Sequence, residues 1–132
     1  MSRDISKLSP YMQVKWQAFK KQCDAEKLGV ILVCTDRGQE DQEAAFNSGH
    51  SRAHYGQSAH NAQLQNGNPA SEAFDIGIIR NGKYIGESAD PSYQRAGAIG
   101  ESLGLKWYGN KKWNYYEAAH FQNMEWTKPK VG

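Results

Sequence analysis

His60, Asp75 and His120 are the residues of this sequence whose types could together hold a divalent metal. Catalytic zinc sites draw three protein ligands from His and Asp or Glu and leave a fourth position for water, whose pKa then falls toward about 7. The wide spacing of the three is no obstacle, because ligands need proximity in space only. An aspartate between Ala73-Phe74 and Ile76-Gly77-Ile78 is costly to bury without a partner, which a metal or a structural hydrogen bond would supply. His120, next to Phe121, also reads as a packed core histidine. His50 and His54 stand four apart, but the HExxH glutamate is missing and Gly49 and Gly56 disfavour a continuous helix there. They read as loop histidines without metal; the alternative is contact with substrate or tuning of a pH response, for which His54 is favoured over His50 only by its proximity to Ser58. Cys23 and Cys34 form no CxxC pair and read as free core thiols.

Local patterns give the elements that must bring these residues together. Ser9-Pro10 is an N-cap followed by a first-turn proline, and Tyr11, Met12, Trp16, Phe19 and Cys23 recur at helical spacing, which predicts a helix over 10–26. Val30 to Cys34 is a short, β-branched apolar run and reads as a buried strand; Gln39 to Asn47 reads as a second helix. From His50 to Ser71 the composition is that of a loop, and a loop of this length is functional or mobile. Ala73 to Arg80, Asn81-Gly82 and Lys83 to Ile85 predict a hairpin, since Asn-Gly supplies the positive φ angles of a type I′ turn. Asp75 thus sits on a strand, and alternation sends Glu72 to the opposite face. Asp90-Pro91 opens a third helix ending near Gly104, and segments 105–108 and 119–122 supply the last strands. Trp107, Tyr108, Trp113, Tyr115 and Tyr116 serve either the core or the floor of a cleft.

The 132 residues fit one domain, 1–132, with 39% hydrophobic and 23% charged residues. The mean hydropathy of -0.80 places many polar residues in surface loops. A net charge of +2 with scattered basic residues gives little support for nucleic-acid binding. The longest apolar stretch, around Leu28 to Cys34, is far below the roughly 20 residues needed to span a bilayer. Met1-Ser2-Arg3-Asp4 lacks the apolar region of a secretory signal, so the product is expected to be made and initially kept in the cytoplasm.

Five ordered fragments carry a further reading: Thr35-Asp36-Arg37 with Gln42, Ser58-Ala59-His60, Ala73-Phe74-Asp75, Gly104-Leu105-Lys106-Trp107-Tyr108-Gly109, and Glu117-Ala118-Ala119-His120-Phe121. They resemble the T-x-R, SxH, AxD, GLxWxG and (D/E)xxHF elements of the zinc DD-peptidase superfamily, in order, from the first helix to about Gln122. That superfamily includes D-alanyl-D-alanine carboxypeptidases and L-alanyl-D-glutamate endopeptidases of phage endolysins. The resemblance implies an α+β domain with a small, mainly antiparallel sheet backed by helices, of the Hedgehog/DD-peptidase type. It implies one catalytic zinc on His60, Asp75 and His120, with Glu117 as general base and then proton donor to the leaving amine. A carboxylate three positions before a ligand can serve water at the metal without being a ligand itself.

Arg37 resembles the arginine that faces the substrate or the developing oxyanion; its alternative is a helix-capping or surface arginine. Ser58 and Gln42 are placed on the substrate-binding side, Ser58 orienting the loop around His60 and Gln42 in a structural or supporting part. The implied function is metal-assisted hydrolysis in the peptidoglycan stem peptide by a monomer, foremost at the L-alanyl-D-glutamate bond. A D-alanyl-D-alanine carboxypeptidase and a non-catalytic zinc module that binds the wall are the alternatives. Without a signal sequence, delivery to the wall falls to another factor or to a virion.

Two features depart from the pattern. His60 and Asp75 are fifteen positions apart where the family has seven, so about eight residues, within Ala62 to Ser71, are inserted. Such an insert bulges outward at little entropic cost or covers the cleft and restricts substrates. Glu117 stands where many endopeptidases have Asp.

Overall fold

The computed structural model describes residues 1–129. Helix α1 runs Pro10–Ala25, with the Ser9 hydroxyl accepting the Met12 amide at 3.2 Å as its N-cap. Its face bearing Met12, Trp16, Phe19 and Cys23 is buried, as the 3.6-residue spacing requires. Strand β1 (Val30–Cys34) follows, then α2 (Gln39–Asn47), then a short 3-10 turn at Ala59–Asn61 within the long polar segment. Strand β2 (Ala73–Arg80) turns through Asn81 and Gly82, at φ 53° and 75°, into β3 (Lys83–Ile85), the two positive φ angles of the predicted hairpin. Helix α3 (Pro91–Ser102), strand β4 (Leu105–Trp107) and strand β5 (His120–Asn123) complete the fold.

All pairings between these strands are antiparallel, in the order β1-β2-β5-β4, with β3 also on β2. Ile78 pairs both Val30 and Ile85, and Asp75 pairs both Cys34 and His120. β3 and β5 therefore share the edge of β2 opposite β1. The core lies between the sheet and helices α1 and α3, where Trp16, Phe19, Phe74 and Phe121 pack with ring centroids 4.9–5.9 Å apart. Helix α3 comes close to the sheet at Gly97, where a Cβ would run into the Trp107 indole. The structure is thus the small antiparallel sheet backed by helices expected from the sequence. Among the described residues no helix is long and apolar enough to cross a membrane.

The insert takes the outward course. The amide of Ala70 donates to the Ala62 carbonyl at 2.9 Å and Gln63 bridges Pro69, so the excursion closes on itself while Gln63 to Asn68 stay exposed. Beyond it, Ser71 is tied to the N-terminal segment through a bridge to Leu8. The chain thus enters β2 from an anchored point.

Candidate metal centre

Asp75 lies at the centre of a row that crosses three strands, with Cys34 opposite it on β1 and His120 opposite it on β5. A register shift between Leu32 and Cys34 brings the thiol into this row. His60 comes from the 3-10 turn, whose N-cap is Ser58: its hydroxyl accepts the His60 amide at 3.2 Å. Ser58 thus caps the turn that carries His60, and it also lines the cleft.

The Asp75 Oδ1 atom is 3.2 Å from His60 Nε2 and 2.9 Å from His120 Nδ1. Each imidazole is held from behind: His60 Nδ1 donates to the Thr35 carbonyl at 2.8 Å, and His120 Nε2 donates to the Gln122 side-chain oxygen at 2.7 Å. These bonds turn the opposite ring nitrogens toward Asp75, the arrangement that fixes tautomer and ring plane in metal-ligating histidines. Burial opposes charge on both His60 and Asp75, but their mutual attraction prevails. It holds Asp75 below the usual carboxylate range and His60 well above the usual imidazole value.

Glu117 reaches the same place from the segment preceding β5. A carboxylate oxygen of Glu117 and ligand atoms of Asp75 and His120 lie within 4.8 Å of one another. Burial, and then the Asp75 charge, push the Glu117 carboxyl above its ordinary value, while His120, His60 and Arg37 pull it down. Arg37 Nη2 stands 3.6 Å from Asp75 Oδ2, and its backbone is clamped on both sides: its amide donates to the His60 carbonyl and its carbonyl accepts from Asn61. Gln42 is fully buried and its oxygen accepts from Arg37 Nη1 at 3.2 Å, so it supports the arginine.

Asp75 therefore lies against both His60 and His120, and Glu117 joins Asp75 and His120, but the two histidines fall in different groups of mutually close ligand atoms. A fifth joins them, for Cys34, His60 and Asp75 form a second buried group whose ligand atoms also lie within 4.8 Å of one another. Cys34 Sγ is 3.7 Å from His60 Nδ1. The sequence reading of Cys34 as a core thiol is correct for burial but misses this neighbourhood, which depends on the pairing of β1 with β2. The two groups share Asp75. Either can hold a metal ion, and the backed imidazoles and buried carboxylate are the donors that zinc takes.

The site opens into a cleft of about 210 Å³. His60, His120, Glu117 and Arg37 line it, together with Tyr108 and Tyr115. The aromatic cluster is thus divided, since Trp107 lies in the core with its Nε1 donating to the Ala118 carbonyl. The order expected for the two loop histidines is reversed: His50 lines the cleft, whereas His54 sits on Phe46 and pairs with Glu43 at 2.8 Å. No residue of the insert is among those lining the cleft, so among the described residues it does not cover the site. Glu72 bonds the Asn123 side chain and belongs to neither group.

The fold is similar to that of the Serratia marcescens L-Ala D-Glu endopeptidase ChiX, with a TM-score of 0.69 over 91% of this chain and 83% of that one. The two sequences are 15% identical over this alignment, a likeness of fold. No protein-family model matches the sequence, and no curated protein matches it by sequence.

Proposed function

We propose that this protein is a zinc-dependent peptidoglycan peptidase that hydrolyses the L-alanyl-D-glutamate bond of the stem peptide. One observation carries the reading: on a fold similar to that of an L-Ala D-Glu endopeptidase, a buried His60–Asp75–His120 arrangement faces a cleft beside a carboxylate whose proton affinity is raised, Glu117. His60, Asp75 and His120 would hold the metal. When bound, zinc supplies Lewis acidity, polarising the scissile carbonyl and making water acidic enough to ionise near neutral pH.

The chain's own groups do the rest. Glu117 takes a proton from the attacking water, and its raised proton affinity suits it to keep that proton until the amine leaves. Arg37, held rigid by Gln42 and by its clamped backbone, places a guanidinium where negative charge develops on the carbonyl oxygen. Tyr108, tilted against the His120 ring with centroids 4.7 Å apart, forms part of the cleft wall beside the imidazole. A wall-binding module would have no use for a half-buried carboxylate beside the ligands, which favours catalysis.

Mass spectrometry of fragments released from purified peptidoglycan by the zinc-loaded protein tests the reading. A new N-terminal D-glutamyl group is expected. Loss of terminal D-alanine alone would assign the carboxypeptidase activity instead, and no release at all would leave the domain as a binding module.

A further inference from the structure

The cleft carries more positive charge than the hydrolytic step uses. Arg37, Arg52 and Lys128 line it, with Glu117 as the sole carboxylate among the lining residues. Arg37 is held beside the reacting centre by Asp75 and Gln42, at 3.6 and 3.2 Å, and serves the hydrolytic step in the proposed mechanism. Arg52 is different. Its guanidinium carbon lies 4.7 Å from the centre of the Tyr115 ring, and Tyr115 stands edge-on to Tyr108, which in turn packs on His120. Ion pairs engage Arg37, Arg80 and Arg95, but among the described residues none engages Arg52.

Stacking occupies only the face of a guanidinium. The edge keeps its planar fork of N–H donors, the shape that matches a carboxylate through two parallel hydrogen bonds. The loop bearing Arg52 is also fixed in advance. The buried Gln42 amide donates to the Ser51 hydroxyl at 2.9 Å and to the Ala53 carbonyl at 2.7 Å, the residues on either side of Arg52. The oxygen of the same amide holds Arg37. A single buried glutamine thus sets the positions of both arginines relative to each other, one at the reacting centre and one further along the cleft wall.

We propose that Arg52, shelved on Tyr115 and positioned through Gln42, binds a free carboxylate of the substrate close to the scissile bond and makes that acid group a determinant of specificity. The inference rests on the peptidase reading above and adds a requirement to it: the preferred peptide is acidic beside the cut, and masking the acid weakens it as a substrate.

The test uses two stem tripeptides that differ only in whether the D-glutamyl residue carries its free carboxylate or the corresponding amide. Binding is measured by calorimetry on zinc-loaded protein in a Glu117→Gln background that suppresses turnover, with Arg52 either kept (the protein unsubstituted at this position) or replaced, and hydrolysis separately by product analysis with Glu117 in place. The unsubstituted protein should bind the acid peptide about 10- to 100-fold more tightly than the amide, the range of a charge-assisted hydrogen-bonded pair. Arg52→Gln should remove most of that preference while leaving the amide peptide's affinity unchanged, and Arg52→Lys should keep part of it. Equal binding of the two peptides by the unsubstituted protein, or an equal loss for both in Arg52→Gln, would overturn the role of Arg52. Hydrolysis of neither peptide would count against the peptidase reading alone, since the binding preference and its loss in Arg52→Gln would still stand.

Discussion

In the proposed mechanism Glu117 and the two histidines have separate parts, and substitutions distinguish them. Glu117 approaches the cluster without backing either imidazole, so Glu117→Gln should retain stoichiometric zinc while its hydrolytic rate drops by about 10²- to 10⁴-fold, the contribution of a positioned general base. Zinc analysis of the purified variant beside a peptidoglycan release assay checks both halves; undiminished release would remove Glu117 from the mechanism. His60, Asp75, Glu117 and His120 could be singled out in the sequence because ordered fragments around them resemble a known family; the structure sets Asp75 against both histidines and Glu117 beside Asp75 and His120. Cys34 could not be. A cysteine in an apolar strand looks like any core thiol, and only the register that sets it across from Asp75 gives it a chemical neighbourhood. Arg52 was equally hidden, since nothing local marks a loop arginine as stacked on an aromatic ring sixty-three positions later in the chain.

At the scale of elements, the helices and the β2–β3 hairpin follow the sequence because their signals are local. Ser9-Pro10, Asp90-Pro91 and Asn81-Gly82 act within a few residues, and each sits where the chain starts a helix or reverses. The 3-10 turn carrying His60 has a local cap in Ser58 and Asn61, but it lies in a Gly-, Ser- and Asn-rich segment and is also held by distant residues, including Thr35, Arg37 and Gln42. Composition can report a loop there but not its shape. The insert supplies a prediction at this scale. Because Ala62 and Ala70 already meet, replacing residues 63–69 by a two-residue turn should leave the fold intact and zinc content unchanged, as circular dichroism and metal analysis would show. Loss of zinc in the shortened protein would mean that the excursion helps set the ligand geometry. At the α3–sheet contact, Gly97→Ala should destabilise the protein by about 1–3 kcal/mol in denaturant unfolding, since a methyl group there meets the Trp107 ring.

For the whole molecule, proton and metal binding are linked through one buried pair. In the metal-free protein His60 is raised above its ordinary value of 6.5, so its contribution to stability is complete below that value and lost as pH rises through the folded-state value. Asp75 is lowered, so its contribution is present above 3.8 and lost as pH falls through the folded-state value. With His60 as a zinc ligand, as proposed, zinc would oppose the alkaline trend, because it competes with the proton on His60 and binds better as that proton leaves. Thermal unfolding of chelator-treated protein should therefore show Tm falling from pH 6.5 upward on account of this pair, while the increment produced by added zinc grows over the same interval. A zinc increment independent of pH would detach His60 from the metal. The most direct measurement is anomalous diffraction at the zinc edge from crystals of the zinc-loaded protein. A single peak bonded by His60, Asp75 and His120, with Glu117 nearby, is expected; a peak held by Cys34 with His60 and Asp75, leaving His120 free, would overturn the proposed ligand set.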